Sequence, residues 1–239
     1  MKPKILGIIT ARGGSKSIPR KNIKDLGGKP LVAWTIEAAK NSGIFDRVIL
    51  STDDQEIADV SKKFGAEVPF LRPTELAQDT TPHMPVLKHA VETLKDKENY
   101  YPDYVAILQP TAPFREPRHF KEAYDLLAAT GADSVISVAE IPGHSNPMWA
   151  LKVNDEGIAN LFVTGEPPYK RIPRRQELPK AYTNSGHIYI FKTGLLFTDN
   201  PNFYGEKTAA YVMEDKYCVN IDNPVDWEKA EEKIKEIAL

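Results

Sequence analysis

The stretch from Ile5 to Asn22 constrains the chain more than any other. Its first part, Ile5-Leu6-Gly7-Ile8-Ile9, is apolar almost throughout. A run of that kind at the head of an alternating α/β pattern reads as a strand buried on both faces of a parallel sheet. Behind it comes Thr10-Ala11-Arg12-Gly13-Gly14-Ser15-Lys16-Ser17-Ile18-Pro19-Arg20-Lys21-Asn22, a glycine pair set among four cations. Glycines let a backbone approach a ligand closely, and free N–H groups beside Lys and Arg attract a polyanion. The loop is neither a Gly-x-x-x-x-Gly-Lys-Ser/Thr loop nor a Gly-x-Gly-x-x-Gly turn. Its position after the first strand is where open α/β sheets bind ligands, so a triphosphate-binding loop is expected.

The rest of the chain supports that sheet. A helix is expected from Leu31 to Ser42, started by Pro30 and ended by Gly43, with Leu31, Trp34, Thr35 and Ala38 inward. Arg47–Thr52 reads as the next strand, and Asp53-Asp54 as the cap of a helix running to Phe64. A short strand over Glu67–Phe70 precedes the polar stretch 71–82, and a helix from Met84 to Asp96 follows. Tyr104–Leu108 is a strand that runs into the rigid Gln109-Pro110-Thr111-Ala112-Pro113-Phe114-Arg115 loop. A helix over Pro117–Ala129 and a strand over Ser134–Val138 complete the regular part. From Glu140 on, antiparallel strands are expected at Ala150–Val153, Ala159–Val163 and His187–Lys192, around a basic, proline-stiffened loop at 166–176. Tyr217–Ile221 reads as the last strand. Asn223 as cap and Pro224 as first helical residue open a final helix to Ile237. Short joins and alternating elements imply right-handed crossovers in one sheet.

Length allows one large domain over 1–239, with a β excursion at 140–190. With 31 basic and 33 acidic residues the net charge is −2, and nothing in it calls for nucleic acid or an anionic membrane. Cys218 is the one cysteine; it excludes an intrachain disulfide and a cysteine-based zinc site, fits a cytoplasmic setting, and reads as a core residue. No secretory pattern precedes the first strand and no apolar run reaches a membrane span. The five histidines lack zinc spacing.

Three loops at strand ends, 12–22, 72–81 and 109–115, should face one pocket. A nucleoside triphosphate and a second polar substrate would fill it, and Mg²⁺ would accompany them. Mg²⁺ needs only one or two protein carboxylates beside phosphate oxygens, and Asp222, ahead of the last helix, is the best candidate. Asn220 sits two residues earlier and could hold a metal-bound water. Asp53 and Asp54 read as capping acids.

The blocks Ala11–Asn22 and Leu108–Arg115 resemble those of the acylneuraminate cytidylyltransferases. The likeness continues through Ser51-Thr52-Asp53-Asp54, Arg72–Thr80, Gln176–Pro179 with Asn184–Tyr189, and Asn220-Ile221-Asp222. The resemblance implies a three-layer nucleotidyltransferase of mostly parallel sheet that transfers CMP from CTP to the anomeric hydroxyl of a nine-carbon 2-keto sugar acid, releasing pyrophosphate. It places Ala11, Gly13, Gly14 and Ser15 in the nucleotide loop, Arg12 and Lys16 at the triphosphate, and Lys21 near the phosphates. Asn22, Arg72 and Thr80 fall around the cytidine. Gln109, Arg174, Asn184 and Tyr189 fall at the sugar acid, with Arg174 pairing its carboxylate, and Asp222 at the metal. It also implies a homodimer in which the 140–190 excursion reaches the partner. N-acetylneuraminate is the first expectation for the sugar, with legionaminate, pseudaminate and 3-deoxy-manno-octulosonate as alternatives. A GTP- or UTP-using transferase and a non-catalytic sugar-nucleotide binding protein are the rival readings. The chain departs from the family pattern in carrying Asn220 where a first metal aspartate is usual. The segment 143–149 also lacks a lysine that some sialic acid enzymes place near the sugar.

Overall fold

The structure, a computed structural model, describes residues 2–237. Met1, Ala238 and Leu239, which fall within the expected 1–239 span, lie outside the described residues. The strands are β1 (Ile5–Thr10), β2 (Asp25–Leu26), β3 (Lys29–Pro30), β4 (Arg47–Ser51), β5 (Tyr104–Leu108), β6 (Ser134–Glu140), β7 (Leu151–Val153), β8 (Ala159–Leu161), β9 (Tyr182–Lys192) and β10 (Thr208–Val212). The helices are α1 (Leu31–Asn41), α2 (Gln55–Lys63), α3 (His83–Glu98), α4 (Pro117–Thr130) and α5 (Pro224–Ile237). Six strands form the central sheet in the order β10-β6-β9-β5-β1-β4, and β9 alone runs against its neighbours.

Both faces of the sheet are covered, which is why its strands are apolar at successive positions. Ile5, Ile9, Val48 and Leu50 face α1, α2 and α4 through Val32, Ile36, Ile57 and Phe120. Leu6, Ile8, Val105 and Ile107 face α3 through Leu87, Ala90, Val91 and Leu94. A third cluster, with Leu26, Phe114, Tyr217, Ile221 and Trp227, docks α5 beside the loop that follows β5. The expected three-layer, mostly parallel architecture is the one observed.

Four expectations are corrected. Glu67–Phe70 is not a strand: one parallel bridge joins Glu67 to Ile49, and Pro69 has no N–H with which to continue a ladder. His187–Lys192 does not belong to the excursion; it is part of β9, paired antiparallel to both β5 and β6 inside the central sheet. Tyr217–Ile221 is not a strand either. It begins in a 3₁₀ turn and buries Tyr217 and Ile221 against Trp227 and Ala230 of α5, so its apolar residues are satisfied without pairing. The last strand of the sheet is β10, which the sequence reading did not identify. Cys218 accordingly lies in this irregular segment at intermediate exposure, and burial pushes its thiol up to about 11. The excursion itself keeps only the β7–β8 hairpin and turns of 3₁₀ helix.

Candidate active site

The carboxyl ends of β1 and β5 open onto a cleft with two adjoining recesses. One, of about 160 Å³, is lined by Arg12, Gly14, Ser15, Lys21, Asn22 and Gln109, among others. The second, of about 260 Å³, includes Arg72, Leu76, Gln78, Asp79, Thr81 and Val86. The three loops singled out in the sequence therefore meet, as parallel topology requires.

The first loop is shaped by groups around it. Ala11 is buried, and its N–H extends the β1–β4 pairing to the Ser51 carbonyl at 3.1 Å. The Gly13 N–H donates to Asp53 at 2.9 Å. A Cβ built on Gly13 would stand 2.9 Å from the Asp54 Cβ, so glycine is required there for close approach rather than for its φ. Asp54 caps α2, accepting from the Ile57 N–H at 2.9 Å, and also holds Arg20. Arg20 pairs with Asp54 and Glu56 and is thereby taken out of the cleft. Buried Asn22 closes the loop, its amide donating to the Arg12 carbonyl at 2.9 Å.

The cations are differently occupied. Arg12 and Lys16 both pair with Asp79, and these two partners, Lys16 first, hold the Asp79 carboxyl below the usual range. Arg72 is 6% exposed, and its nearest carboxylate oxygen, on Asp53, is 3.9 Å away. Its Nε and Nη2 have no hydrogen-bond partner, and burial lowers its pKa. Arg72 thus lines the second recess with two of its guanidinium nitrogens buried and unbonded. Lys21 donates to the Ile221 carbonyl at 3.0 Å. Burial lowers its pKa, with Asp222 and Asp226 opposing and Arg12 adding to the effect.

Through Lys21 the cleft reaches the segment before α5. The Ile221 N–H donates to the Thr111 carbonyl at 2.8 Å, tying that segment to the loop after β5. Next to it, Asn220 donates to the Ser185 carbonyl at 3.3 Å. Gly186, at φ 76°, brings the chain so close that an added Cβ would stand 3.2 Å from the Asn220 amide nitrogen and 3.9 Å from the Tyr189 hydroxyl. Tyr189 in turn donates to Asn184 at 3.1 Å. A register shift in the β6–β9 pairing makes this cluster. Ser137 Oγ accepts from the N–H groups of His187 and Ile188 at 3.1 and 2.8 Å, and β9 bends there.

Asn184, Tyr189 and Asn220 are thus together, and Gln109 lines the first recess. Thr80 is exposed in a turn and lines neither recess; its neighbour Thr81 does. Arg174 is not brought to the cleft within one chain. It lies on the exposed arm, 77% accessible, with its Nε 3.8 Å from Glu177. Arg115, at the end of the 109–115 loop expected to face the pocket, points inward instead. It donates to the carbonyls of His187 and Gln109 and the hydroxyl of Thr35 at 2.9, 2.7 and 2.6 Å. The sequence reading missed Thr10, Thr111 and His83 as lining residues. Thr10 and Thr111 stand at or just beyond strand ends, a usable signal; for His83 no local signal existed.

No group of three or more His, Cys, Asp or Glu suited to a metal occurs among the described residues. The donor set fits a divalent cation held jointly with phosphates. No described residue bonds the exposed Asp222 carboxylate, and the Asn220 amide, donating through nitrogen, leaves its oxygen available.

The sequence model of the cytidylyltransferase family matches residues 6–237. The chain is 36% identical over 227 residues to the pseudaminic acid cytidylyltransferase of Campylobacter jejuni serotype O:23/36, covering 95% of this chain and 94% of that one. It is 35% identical over 228 residues to the CMP-N,N'-diacetyllegionaminic acid synthase of Legionella pneumophila, covering 94% and 93%. A solved CMP:2-keto-3-deoxy-manno-octonic acid synthetase, complexed with CTP, shares the fold with a TM-score of 0.69 at 20% identity, covering 98% of this chain and 99% of that one.

Proposed function

The chain belongs to the cytidylyltransferase family, and from that premise we propose that it transfers CMP from CTP to the anomeric hydroxyl of a nine-carbon 2-keto sugar acid. The observation that carries this reading is the continuity of the cleft. An anion recess lined by Arg12, Gly14 and Lys21 shares Thr10, Arg12 and His83 with a second recess large enough for a base, and Lys21 ties it through the Ile221 carbonyl to the segment that carries Asn220. Two substrates placed end to end would set the sugar hydroxyl beside the α-phosphorus, and holding them so removes much of the entropic barrier. The hydroxyl oxygen bonds the α-phosphorus and gives up its proton to solvent, while the bond from that phosphorus to the pyrophosphate oxygen breaks and pyrophosphate leaves. Arg12, Lys16 and Lys21 stabilise the charge that builds on the leaving group. Arg12 and Lys16 must first exchange Asp79 for phosphate oxygens. A divalent cation, Mg²⁺ by preference for phosphates, would add charge neutralisation there, held by Asp222 with Asn220 beside it.

The test is pyrophosphate release from CTP, GTP or UTP with N-acetylneuraminate, pseudaminate, legionaminate and 3-deoxy-manno-octulosonate as acceptors. CTP-dependent release with one of the nine-carbon acids is expected. Release with GTP or UTP alone, or with none of the acids, would refute the reading. Asp222→Asn should raise the Mg²⁺ concentration for half-maximal rate by about tenfold, since the phosphates supply most ligands. An unchanged Mg²⁺ dependence would remove Asp222 from the metal.

The same reading includes a homodimer working in the cytoplasm. Val153, Phe162, Val163 and Tyr169, all more than half exposed on and around the β7–β8 hairpin, support it, because such apolar side chains favour a partner. A second copy seated there would carry Arg174 towards the neighbouring cleft and supply the sugar-carboxylate cation that one chain lacks. Sedimentation should give a dimer. Phe162→Lys should give monomers with a sugar-acid KM raised about tenfold; a monomeric wild type with full activity would refute the arrangement. No helix among the described residues is long and apolar enough to cross a membrane.

A further inference from the structure

One peptide group of β9, the one that joins Ser185 to Gly186, carries contacts at both of its ends. Its carbonyl oxygen accepts from the Asn220 amide at 3.3 Å and from Nδ1 of His187 at 2.6 Å. Its N–H, on Gly186, donates to the Asn184 side-chain oxygen at 2.9 Å. The same Asn184 oxygen accepts from the Tyr189 hydroxyl at 3.1 Å. The group is planar, so its two ends cannot turn independently. It therefore ties the segment before α5 on one side to the Asn184–Tyr189 pair on the other.

Residues 185–188 fall between the paired Asn184 and Tyr189, inside the register shift, so the sheet ladder does not hold them. The plane turns about ψ of Ser185 and φ of Gly186, and a glycine at φ 76° resists such turning least. His187 supplies the restraint. The residue is 1% exposed; its N–H donates to Ser137 Oγ at 3.1 Å and its carbonyl accepts from Arg115 at 2.9 Å. Burial, then the Arg115 charge, push its pKa down to about 4, while the backbones of Ser185, Val219 and Tyr217 act the other way. The neutral ring has one N–H, and because a carbonyl can only accept, that N–H is on Nδ1. A ring anchored through its own main chain and bonded to the carbonyl two residues back closes the turn around Gly186.

We infer that His187 is a positioning residue: it locks the Ser185–Gly186 peptide plane in one orientation and through that plane sets Asn184 and Asn220 in register with each other. This rests on the cytidylyl-transfer reading above, which gives the sugar acid to Asn184 and the metal to Asp222, two residues beyond Asn220. The lock couples the two, so the sugar acid and the cation are placed by one peptide group.

Amide hydrogen exchange of the ligand-free protein, read at Gly186 by NMR, tests the lock in His187→Leu, His187→Asn and Asn220→Ala. Leucine fills the volume without a donor, and Gly186 should exchange about tenfold faster. Asparagine places an amide nitrogen where Nδ1 stood but leaves a cavity. It should melt lower than the leucine variant and yet restore Gly186 exchange, which separates the lock from packing. Asn220→Ala leaves the core untouched, so it reads the lock even if leucine prevents folding; Gly186 should exchange about threefold faster. In turnover, leucine should raise the sugar-acid KM and the Mg²⁺ concentration for half-maximal rate together, and leave the KM for CTP at saturating Mg²⁺ unaltered; asparagine should recover both. Unchanged Gly186 exchange in His187→Leu or Asn220→Ala, or an asparagine variant that exchanges as fast as the leucine one, would overturn the inference alone. A wild type without CTP-dependent turnover would overturn it together with the cytidylyl-transfer reading.

Discussion

Replacing Lys21 with methionine should lower turnover by about two to three orders of magnitude and leave the fold intact, because a charge aimed at a developing anion acts mainly in the transition state. Arg12 and Arg72 line the cleft with carboxylates nearby, on Asp79 and Asp53. Lys21 forms no ion pair among the described residues; its ammonium holds only the Ile221 carbonyl, one residue from Asp222. It is also the cation set where the first recess meets the segment before α5, the place that the proposed reaction gives to the α-phosphorus and the leaving oxygen. Methionine keeps the length of the stem and removes the charge. The loss should fall on kcat more than on the KM for CTP, which Arg12 and Lys16 share. Because burial lowers the Lys21 pKa, the cation is lost sooner as pH rises than an exposed lysine would be. An alkaline limb in the kcat profile should therefore belong to Lys21 and be absent from the variant. Steady-state pyrophosphate release decides it; a kcat within threefold of wild type would exclude the role.

Arg115→Met should destabilise the protein by roughly 2–4 kcal/mol, the cost of leaving buried acceptors without their donor partly offset by removing a buried charge. Arg115 is 3% exposed, has no carboxylate partner among the described residues, and burial pushes its pKa down to about 9. The side chain spans three elements: the Thr35 hydroxyl on α1, the His187 carbonyl on β9 and the Gln109 carbonyl after β5. Its guanidinium carbon stands 5.6 Å from the centre of the Phe120 ring, so methionine can fill the volume but none of the hydrogen bonds. Lysine should rescue little, since one ammonium cannot reproduce the planar fork. For a chain of this size the melting temperature should fall by about 5–12 °C. The KM for the sugar acid should rise as well, because Gln109 loses its anchor. A urea midpoint equal to that of wild type would contradict this account.

These two residues illustrate what a linear reading can and cannot see. Lys21 was legible because it follows a glycine-rich loop behind a buried strand. Arg115 was legible as part of a rigid loop at a strand end, yet its direction was not. Whether a guanidinium at that point faces solvent or core depends on acceptors 72 and 80 residues away in sequence. The same limit explains Tyr217–Ile221. Five apolar-rich residues with strand character form an irregular segment, because Tyr217 and Ile221 are buried against α5 and Phe114 without strand pairing. It also explains His83, whose spacing from the other histidines says nothing, and whose place in the lining of both recesses comes from where α3 begins.

The sequence by itself determined most of the local pieces: the five helices, the strands β1, β4, β5 and β6, where α2 and α5 are capped, and that the loops after β1 and β5 carry polar groups. Those features rest on neighbours a few residues apart, on periodicity, caps and proline, and so they can be read from the chain directly. Only the tertiary structure decided how the loops share their work. It reversed β9 within the sheet and bent it at Ser137 so that Asn184 meets Tyr189 and Gly186 meets Asn220. It set Lys21 against Ile221 across 200 residues of sequence, and it left Arg174 on an exposed arm away from its own cleft. Each depends on which distant backbone a side chain meets once the layers close, and no local pattern encodes that meeting.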